Sequence, residues 1–227
     1  AMLNYEVDPE LLRPFIPAGT HPDTLDGRSL ITVVGFLFRR AKLWGIPAIG
    51  HQIFPEMNLR CYVRRGDRRG VVFIKELVPR RLIVWMARRF GENFEHVPMN
   101  FRVDPDKAID QVHRLRRAEY RWNLPGKSGN LTAVVGSEGQ QFDRREIDYV
   151  VHRSWAYTAR SAGETYEYYV DHPPWKVWPA AMASLQGDFG SVFSPAFGEV
   201  LAGVPSSACL VDGSAVRVYP GRLVSLR

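Results

Sequence analysis

The sequence contains little cysteine and little lysine, and it has no long hydrophobic run. Cys61 and Cys209 are the two cysteines in 227 residues, too few for a disulfide framework or a structural zinc site. No apolar stretch reaches the roughly 20 residues that span a bilayer, so we expect no membrane partner. Unbridged cysteines indicate a reducing, cytoplasmic location. Because the chain begins at Ala1 rather than Met, we expect its natural N-terminus to lie upstream, and a missing leader is uninformative.

Common catalytic signatures are also missing. The sequence has no G-x-S-x-G elbow, no Walker loop, no G-x-G-x-x-G fingerprint and no H-E-x-x-H helix. No two of the six histidines lie four residues apart. We therefore expect no metal site and no cofactor.

The charge is basic and is carried by arginine. The net charge is +6, and only five of the 30 basic residues are lysine. Such a charge suits phosphate contacts, but the Arg-Arg pairs are scattered between acidic residues and no nucleic-acid-binding motif accompanies them. We expect no nucleic-acid partner, and we interpret these pairs as solvated loop ends and surface ion pairs.

The most informative segment is residues 54–63, FPEMNLRCYV, in which polar and apolar side chains alternate. This period predicts a strand with one polar and one apolar face, and Cys61 lies on the apolar one. The polar face carries Glu56, Asn58, Arg60 and Tyr62. If this face lines an interior, it suits a small polar or anionic ligand; if it faces water, it is an ordinary solvated strand. The pattern alone favours the solvated strand.

The rest of the chain predicts an α+β fold in a single domain of residues 1–227. Strands are predicted over residues 29–38, 54–63, 71–77, 118–124, 131–135, 164–170, 208–211 and 215–219, the last two around an Asp-Gly turn. Helices are predicted over residues 8–15, 82–90, 144–155 and 188–201, with a short helix after Asp104-Pro105 and a loop over 44–52.

A second segment of interest is His172-Pro173-Pro174-Trp175. The two prolines end a strand and fix the backbone that follows His172. One interpretation places His172 at the mouth of a pocket with Trp175 as an apolar wall. The other is a rigid loop whose tryptophan packs into the core, and the residues support the two equally.

Taken in order, NYEVDP, FPEMNLRCYV, RRGVVFIKELVPRR and DHPPW resemble the YqjF-like family, domain of unknown function 2071. That family is similar in fold to acetoacetate decarboxylase, and the resemblance covers essentially the whole chain. It implies a curved, mostly antiparallel sheet that closes into a cone-like barrel, with helices packed outside and an internal cavity open at one end. Related folds are often oligomeric, which makes a homodimer possible.

The resemblance also suggests which chemistry to expect. Acetoacetate decarboxylase forms a Schiff base through a lysine. Here the corresponding segment carries Glu95-His96, and the nearest lysine, Lys75, is interpreted with Glu76 as a surface pair. Schiff-base decarboxylation is therefore not expected, whereas Glu56 matches a cavity carboxylate of the decarboxylases.

One further departure concerns a Glu-His pair that many members of the YqjF-like family carry before the Trp155 segment. Here those positions are His152-Arg153. If that pair lines the site, the ligand preference or activity of this protein differs.

Two functional hypotheses follow. In the first, the protein binds a small organic acid or ketone: Arg60 pairs with the anion and Asn58 orients it. Glu56 either holds Arg60 in place or acts as an acid or base near a carbonyl, and Tyr62, His172 and Trp175 line the cavity. In the second, it is a lyase or hydrolase-like enzyme that uses Glu56 with His172 or His96 as acid and base. A structural alternative also stands, in which the polar residues of the strand satisfy only one another.

Overall fold

The computed structural model describes residues 1–39, 42–43, 46–47, 53–89, 91–106, 114–136, 143–161 and 163–225. The strands are β1 (Met2–Val7), β2 (His21–Pro22), β3 (Ser29–Arg39), β4 (Lys42–Leu43), β5 (Ile46–Pro47), β6 (Ile53–Arg65), β7 (Arg68–Val78), β8 (Phe94–His96), β9 (Met99–Asp106), β10 (Arg114–Leu124), β11 (Lys127–Val135), β12 (Trp155–Ser161), β13 (Glu164–Asp171), β14 (Val177–Gly187), β15 (Ser207–Val211), β16 (Arg217–Val218) and β17 (Arg222–Ser225). The helices are α1 (Pro9–Leu12), α2 (Arg81–Arg89), α3 (Arg144–Val150), α4 (Phe189–Val192) and α5 (Gly198–Ala202), with 3₁₀ turns at Arg13–Phe15 and Pro195–Phe197.

Most strands belong to one 15-stranded sheet. Its main path runs β16-β13-β12-β7-β6-β3-β1-β15-β14-β11-β10-β9, with β17, β2 and β8 paired beside it. The pairs are antiparallel except for β12 with β7 and β7 with β8. The mostly antiparallel, sheet-rich α+β prediction is confirmed. Among the described strand pairs the path stays open, so closure into a cone or barrel remains a prediction.

Strand β6 lies near the middle of this path and is buried on both faces. Its apolar residues, Cys61 among them, enter a large core that includes Tyr5 and Trp122. Its opposite face enters a second core, in which Tyr62 packs with Tyr149. Helices α4 and α5 pack against the first core and α3 packs against the second, so the sheet separates two apolar layers.

The helical predictions are partly corrected. Helix α2 covers nearly all of the predicted 82–90, and the 8–15 segment forms α1 with a 3₁₀ turn, capped by Asp8. The 144–155 helix ends at Val150, and Trp155 already begins a strand. The 188–201 segment is not one helix, because Pro195 lacks the N–H donor that a continuous helix needs and starts a separate turn.

Several strand predictions are also corrected. Asp104-Pro105 does not begin a helix but lies within β9, and residues 107–113 are outside the described part of the chain. The two C-terminal strands do not form a hairpin, because β15 pairs with β1 and β14 whereas β16 pairs with β13. In the predicted 44–52 loop, Ile46–Pro47 pairs with β4, and the rest lies outside the described residues.

The arginines form ion pairs with acidic partners on several strands. Buried Glu167 on β13, for example, accepts hydrogen bonds from Arg68 at 2.6 Å and from Arg222 at 3.2 Å. These contacts join the β6–β7 hairpin to β13 and β17.

No helix within the described ranges has the length and apolar character that a membrane crossing requires.

Close approach of strand β3 to a buried ring requires a glycine at position 35. A Cβ built on Gly35 would lie 2.5 Å from Cδ2 of Tyr120, which is itself in the core. We expect Gly35→Ala to lower the free energy of unfolding by about 1–3 kcal/mol, since the ring must move in a packed interior. Gly198→Ala is the matched control, because its Cβ would meet its nearest atom at 3.8 Å. Urea unfolding of both variants measures the difference, and equal midpoints would contradict this packing.

Candidate functional site

The polar face of β6 points into the protein rather than into water. Glu56 is 1% exposed and Asn58 is 3% exposed, Tyr62 is fully buried, and Arg60 is half-buried. The solvated interpretation that the pattern favoured is therefore wrong. Strand alternation shows that a face is polar, but whether other elements cover that face depends on the tertiary fold.

Asn58 and two glutamates meet at the centre of this face. Asn58 lies opposite Glu76 in the register between β6 and β7, and cross-strand neighbours share a face. The Asn58 Nδ2 donates to Glu56 Oε1 at 3.2 Å, and the charge of Glu56 acts on the neighbouring carboxyl group of Glu76. Two buried carboxyl groups that act on each other in this way favour a state in which one of them is protonated.

A third carboxyl group and a phenol border this pair. Glu92 follows α2, and its Oε1 accepts a hydrogen bond from Thr158 Oγ1 at 3.0 Å. The charge of Glu92 acts on Tyr168 of β13 and on both Glu56 and Glu76. We call Glu56, Glu76 and Glu92 the carboxyl cluster.

Burial shifts the titration of the whole cluster. It raises the pKa of Glu56 to about 7, with repulsion from Glu92 adding to the effect. The pKa of Glu76 is raised well above its usual range by burial and then by the charges of Glu56 and Glu92. The pKa of Glu92 is raised, again chiefly by burial, and that of Tyr168 is raised well above its usual range. The directions of these shifts favour a protonated carboxyl group within the Glu56–Glu76 pair.

Arg60 lies farther along the same face and is engaged differently from the prediction. Its Nη2 donates to the carbonyl oxygen of Val150 at 2.5 Å, at the C-terminal end of α3. A cation at that end of a helix is favourable, because carbonyl groups there are left without helical partners. Within the described residues, no carboxylate forms an ion pair with Arg60 and its Nε has no hydrogen-bond partner. Glu56 therefore does not hold Arg60, and the guanidinium keeps a free donor.

Tyr62 belongs to a polar chain that crosses four strands. Its hydroxyl lies 2.5 Å from Thr32 Oγ1, which donates to Asn4 Oδ1 at 2.7 Å. Asn4 Nδ2 donates to Ser207 Oγ at 2.8 Å, and Ser207 donates to Glu146 on α3. This chain fixes Tyr62 and holds α3 against the sheet.

His152 and Arg153, at the positions where the family resemblance implies a Glu-His pair, lie after α3. Arg153 is buried and donates through Nη1 to Asp23 Oδ2 at 2.6 Å and through Nε to the carbonyl of Tyr149. His152 Nε2 lies 3.8 Å from Asp148 on the helix itself. Arg153 therefore links the end of α3 to the segment after β2.

His172 and Trp175 stack on each other near the surface. Their ring centroids are 4.2 Å apart, and Trp175 Nε1 donates to Ser214 Oγ at 2.8 Å. His172 is half-buried, with its Nδ1 at 2.9 Å from the Pro173 carbonyl oxygen, and Trp175 packs partly against the second core. This arrangement fits the interpretation of this segment as a rigid loop whose tryptophan packs into the core. Among the described contacts, none joins His172 to Glu56.

His96 and Lys75 are also placed away from the carboxyl cluster. His96 lines a surface groove of about 470 Å³ beside α2, together with Trp85 and Arg88. Lys75 is opposite Leu59, on the other face of β7 from Glu76, and its Nζ pairs with Glu95 at 2.6 Å. The predicted Lys75–Glu76 surface pair is wrong, because Glu76 is 6% exposed and belongs to the carboxyl cluster.

Sequence reasoning missed Glu76, Glu92 and Tyr168. The register of the β6–β7 hairpin was the available signal for Glu76, since it sets this residue opposite Asn58. A bulge after Leu59 shifts that register by one residue, so alternation along β7 alone misassigns its faces.

Within the part of the chain that the structure describes, no group of three or more His, Cys, Asp or Glu side chains is arranged to hold a metal ion.

Comparison with solved structures identifies the fold. The acetoacetate decarboxylase-like enzyme from Sphingomonas wittichii RW1 superimposes with a TM-score of 0.65 at 15% identity, over 99% of this chain and 89% of that chain. Acetoacetate decarboxylase from Legionella pneumophila gives 0.65 at 12% identity, over 99% and 83%. The enduracididine biosynthesis enzyme MppR, complexed with pyruvate, gives 0.61 at 15% identity, over 96% and 86%. The chain thus has an acetoacetate decarboxylase-like fold.

Sequence comparison then identifies the family. Residues 1–212 match DUF2071, described as "Uncharacterized conserved protein", and the chain belongs to that family. It is also similar to the "Uncharacterized protein YqjF" of Bacillus subtilis strain 168, at 33% identity over 113 residues. That match covers 49% of this chain and 46% of YqjF, so the chain aligns with about half the length of this curated relative.

Proposed function

We propose that this protein, taken as one domain of residues 1–227, binds a small organic acid or ketone on the buried polar face of β6. Arg60 Nε would donate to the carboxylate of the ligand. A proton held by the Glu56–Glu76 pair would be donated to a carbonyl oxygen, as neutral buried carboxyl groups do in other sites. The walls would come from the second core, and His172 and Trp175 would lie toward its rim.

The observation that carries this proposal is the set of buried polar atoms on this face that have no partner. Among the described residues, Glu56 Oε2, Asn58 Oδ1, Glu76 Oε2 and Arg60 Nε are buried without a hydrogen bond. A buried polar group without a partner costs about 1–3 kcal/mol, which a bound ligand would offset. In support, a structural neighbour of the same fold, MppR, is known in complex with pyruvate.

A second function, proton transfer next to a carbonyl group, is favoured by the Glu56–Glu76 pair. The earlier acid–base hypothesis paired Glu56 with His172 or His96, and the described contacts do not join either histidine to Glu56. Glu76 supplies the partner instead, and burial raises the pKa of Glu56 to about 7, close to the pH at which a general base works best. Glu56 would remove the α-proton while Glu76 hydrogen-bonds the carbonyl oxygen. Nothing in this step requires a Schiff base.

One NMR experiment tests both functions. Purified protein in D₂O is mixed with pyruvate, acetoacetate, levulinate, lactate and acetone, and saturation transfer identifies the compounds that bind. We expect transfer to at least one keto acid, removed by Arg60→Gln but kept in Arg102→Gln, an exposed arginine on β9.

Loss of α-proton signals in the same spectra would show proton exchange, and its removal in Glu56→Gln would assign the base. Saturation transfer without exchange would leave binding as the function. No transfer to any of the compounds would refute the proposed site. The predicted homodimer is measured on the same preparation by analytical ultracentrifugation.

A further inference from the structure

We propose that the surface groove beside α2 is a second binding site, and that its ligand is a nucleoside phosphate, a flat ring joined to phosphate groups. The groove has a volume of about 470 Å³, which is in the usual range for small-molecule sites. The described lining includes none of the polar residues of β6, so this site is separate from the one proposed above. The lining combines cationic and apolar side chains: Arg81, Val84, Trp85, Arg88, Arg89 and His96.

Helix α2 forms one wall of the groove and is held in place by its apolar side. Val84 is buried in a small apolar cluster that includes Phe54, whereas Trp85 is 58% exposed. Arg81 lies one turn before Trp85 along the helix and Arg88 lies one turn after it, so the three side chains share one face. An exposed aromatic ring therefore has a guanidinium group on either side of it.

The positive charge of the groove is not neutralised within the described part of the chain. No described carboxylate forms an ion pair with Arg81, Arg88 or Arg89, and Glu95 on β8 is paired with Lys75 at 2.6 Å. The dipole of α2 favours cations in the last turn, where Arg88 and Arg89 lie, but disfavours the cation of Arg81 in the first turn. Helix stability does not account for all three charges, whereas an anionic ligand does.

Arg88 is oriented to hold a phosphate group. Its Nε donates to the carbonyl oxygen of Phe94 at 2.8 Å, which ties α2 to β8. No described hydrogen bond uses its two Nη groups, and a guanidinium binds phosphate oxygens through such a pair of donors. His96, also on β8, adds a ring nitrogen to the lining.

Trp85 makes the groove suited to a flat ring and not to phosphate alone. The guanidinium carbon of Arg89 lies 5.0 Å from the ring centroid of Trp85, so a cation already stacks on the indole. The exposed part of the indole is open to a nucleobase, and stacking of this kind tolerates any base. Arg81 and Arg88 are roughly 10 Å apart along the helix, so a base on Trp85 has guanidinium groups within reach of its phosphates.

ADP is the probe, and adenosine and pyrophosphate separate its ring from its charge. Titration calorimetry at low salt should show ADP binding, with adenosine and pyrophosphate each at least about tenfold weaker. Arg88→Gln should weaken ADP binding by about tenfold or more. Trp85→Leu should weaken ADP binding by about fivefold or more and leave pyrophosphate binding unchanged, since pyrophosphate has no ring to stack. Arg102→Gln, at an exposed position of β9, is the control and should change neither affinity.

Failure of the parent protein to bind ADP would overturn this inference, and so would pyrophosphate binding as tightly as ADP. Tighter binding of a single-stranded oligonucleotide would assign the groove to a nucleic acid instead, and retention on phosphatidylserine vesicles without ADP binding would assign it to a membrane surface. Both α2 substitutions are at exposed positions, and circular dichroism of each variant checks that it is folded. A folded Arg88→Gln protein with full affinity for ADP would place the nucleotide elsewhere.

Discussion

Arg60→Ala will weaken binding of a short keto acid by about 30- to 1000-fold, equivalent to about 2–4 kcal/mol. The physical reason is that the guanidinium has a free Nε donor and, among the described residues, no carboxylate partner. Arg60→Lys should recover only part of the affinity, because an ammonium cannot reproduce the fork of the guanidinium. Titration calorimetry with levulinate measures the affinity of the parent protein and of both variants.

The control must separate lost binding from lost structure, because Arg60 also caps α3 through the Val150 carbonyl. We expect Arg60→Ala to reduce the free energy of unfolding by about 1 kcal/mol and to leave a cooperative transition. Arg102→Ala, on the exposed part of β9, should change neither the affinity for levulinate nor the free energy of unfolding. An Arg60→Ala protein that folds and binds with unchanged affinity would rule out the ligand role. A protein that no longer folds would indicate a structural role for the whole face.

Glu76→Gln will make the protein more stable at pH 8, by on the order of 1–3 kcal/mol. The folded state raises the pKa of both Glu56 and Glu76, so it holds protons that the unfolded chain releases above about pH 4.3. Their contribution to stability is therefore present at low pH and is lost as pH rises through the folded value, about 7 for Glu56. Glutamine stays neutral at every pH, so the variant does not lose stability at position 76 as the pH rises.

The measurement is urea unfolding of both proteins from pH 5 to pH 8. The difference between the variant and the parent should increase with pH across this window. Glu119→Gln is the matched control, because Glu119 is a buried strand residue that is paired with Arg117 and Arg121. That substitution should destabilise the protein, since it removes charge partners from two arginines. A Glu76→Gln curve parallel to that of the parent would contradict a protonated carboxyl group in the Glu56–Glu76 pair.

Local sequence signals were sufficient for the elements that follow simple periodicity. Strand β6, helix α2 and the β10–β11 hairpin occur within a few residues of their predicted bounds. The family resemblance supplied the overall sheet. The long strand β14 was missed, because Pro179 and a run of small residues obscure its alternation.

The site was predicted only in part. The residues that it takes from β6 follow from strand alternation, whereas those that reach it from other elements depend on the tertiary fold. Alternation on β6 placed Glu56, Asn58 and Arg60 on one face. It could not show that α3 and the second core cover this face, or that Glu76 and Glu92 reach it from β7 and the segment after α2. His172 and Trp175 were expected in a segment stiffened by two prolines, but proline stiffness does not specify which surface the segment faces, and the two rings stack on each other.

The most direct test of the account is a crystal structure of the protein soaked with levulinate. The account predicts electron density for the ligand on the polar face of β6, with its carboxylate at Arg60 Nε and its keto oxygen at the Glu56–Glu76 pair. It would be contradicted by an unoccupied face under saturating ligand, with Glu56, Asn58 and Glu76 satisfying only one another and Arg60 capping α3.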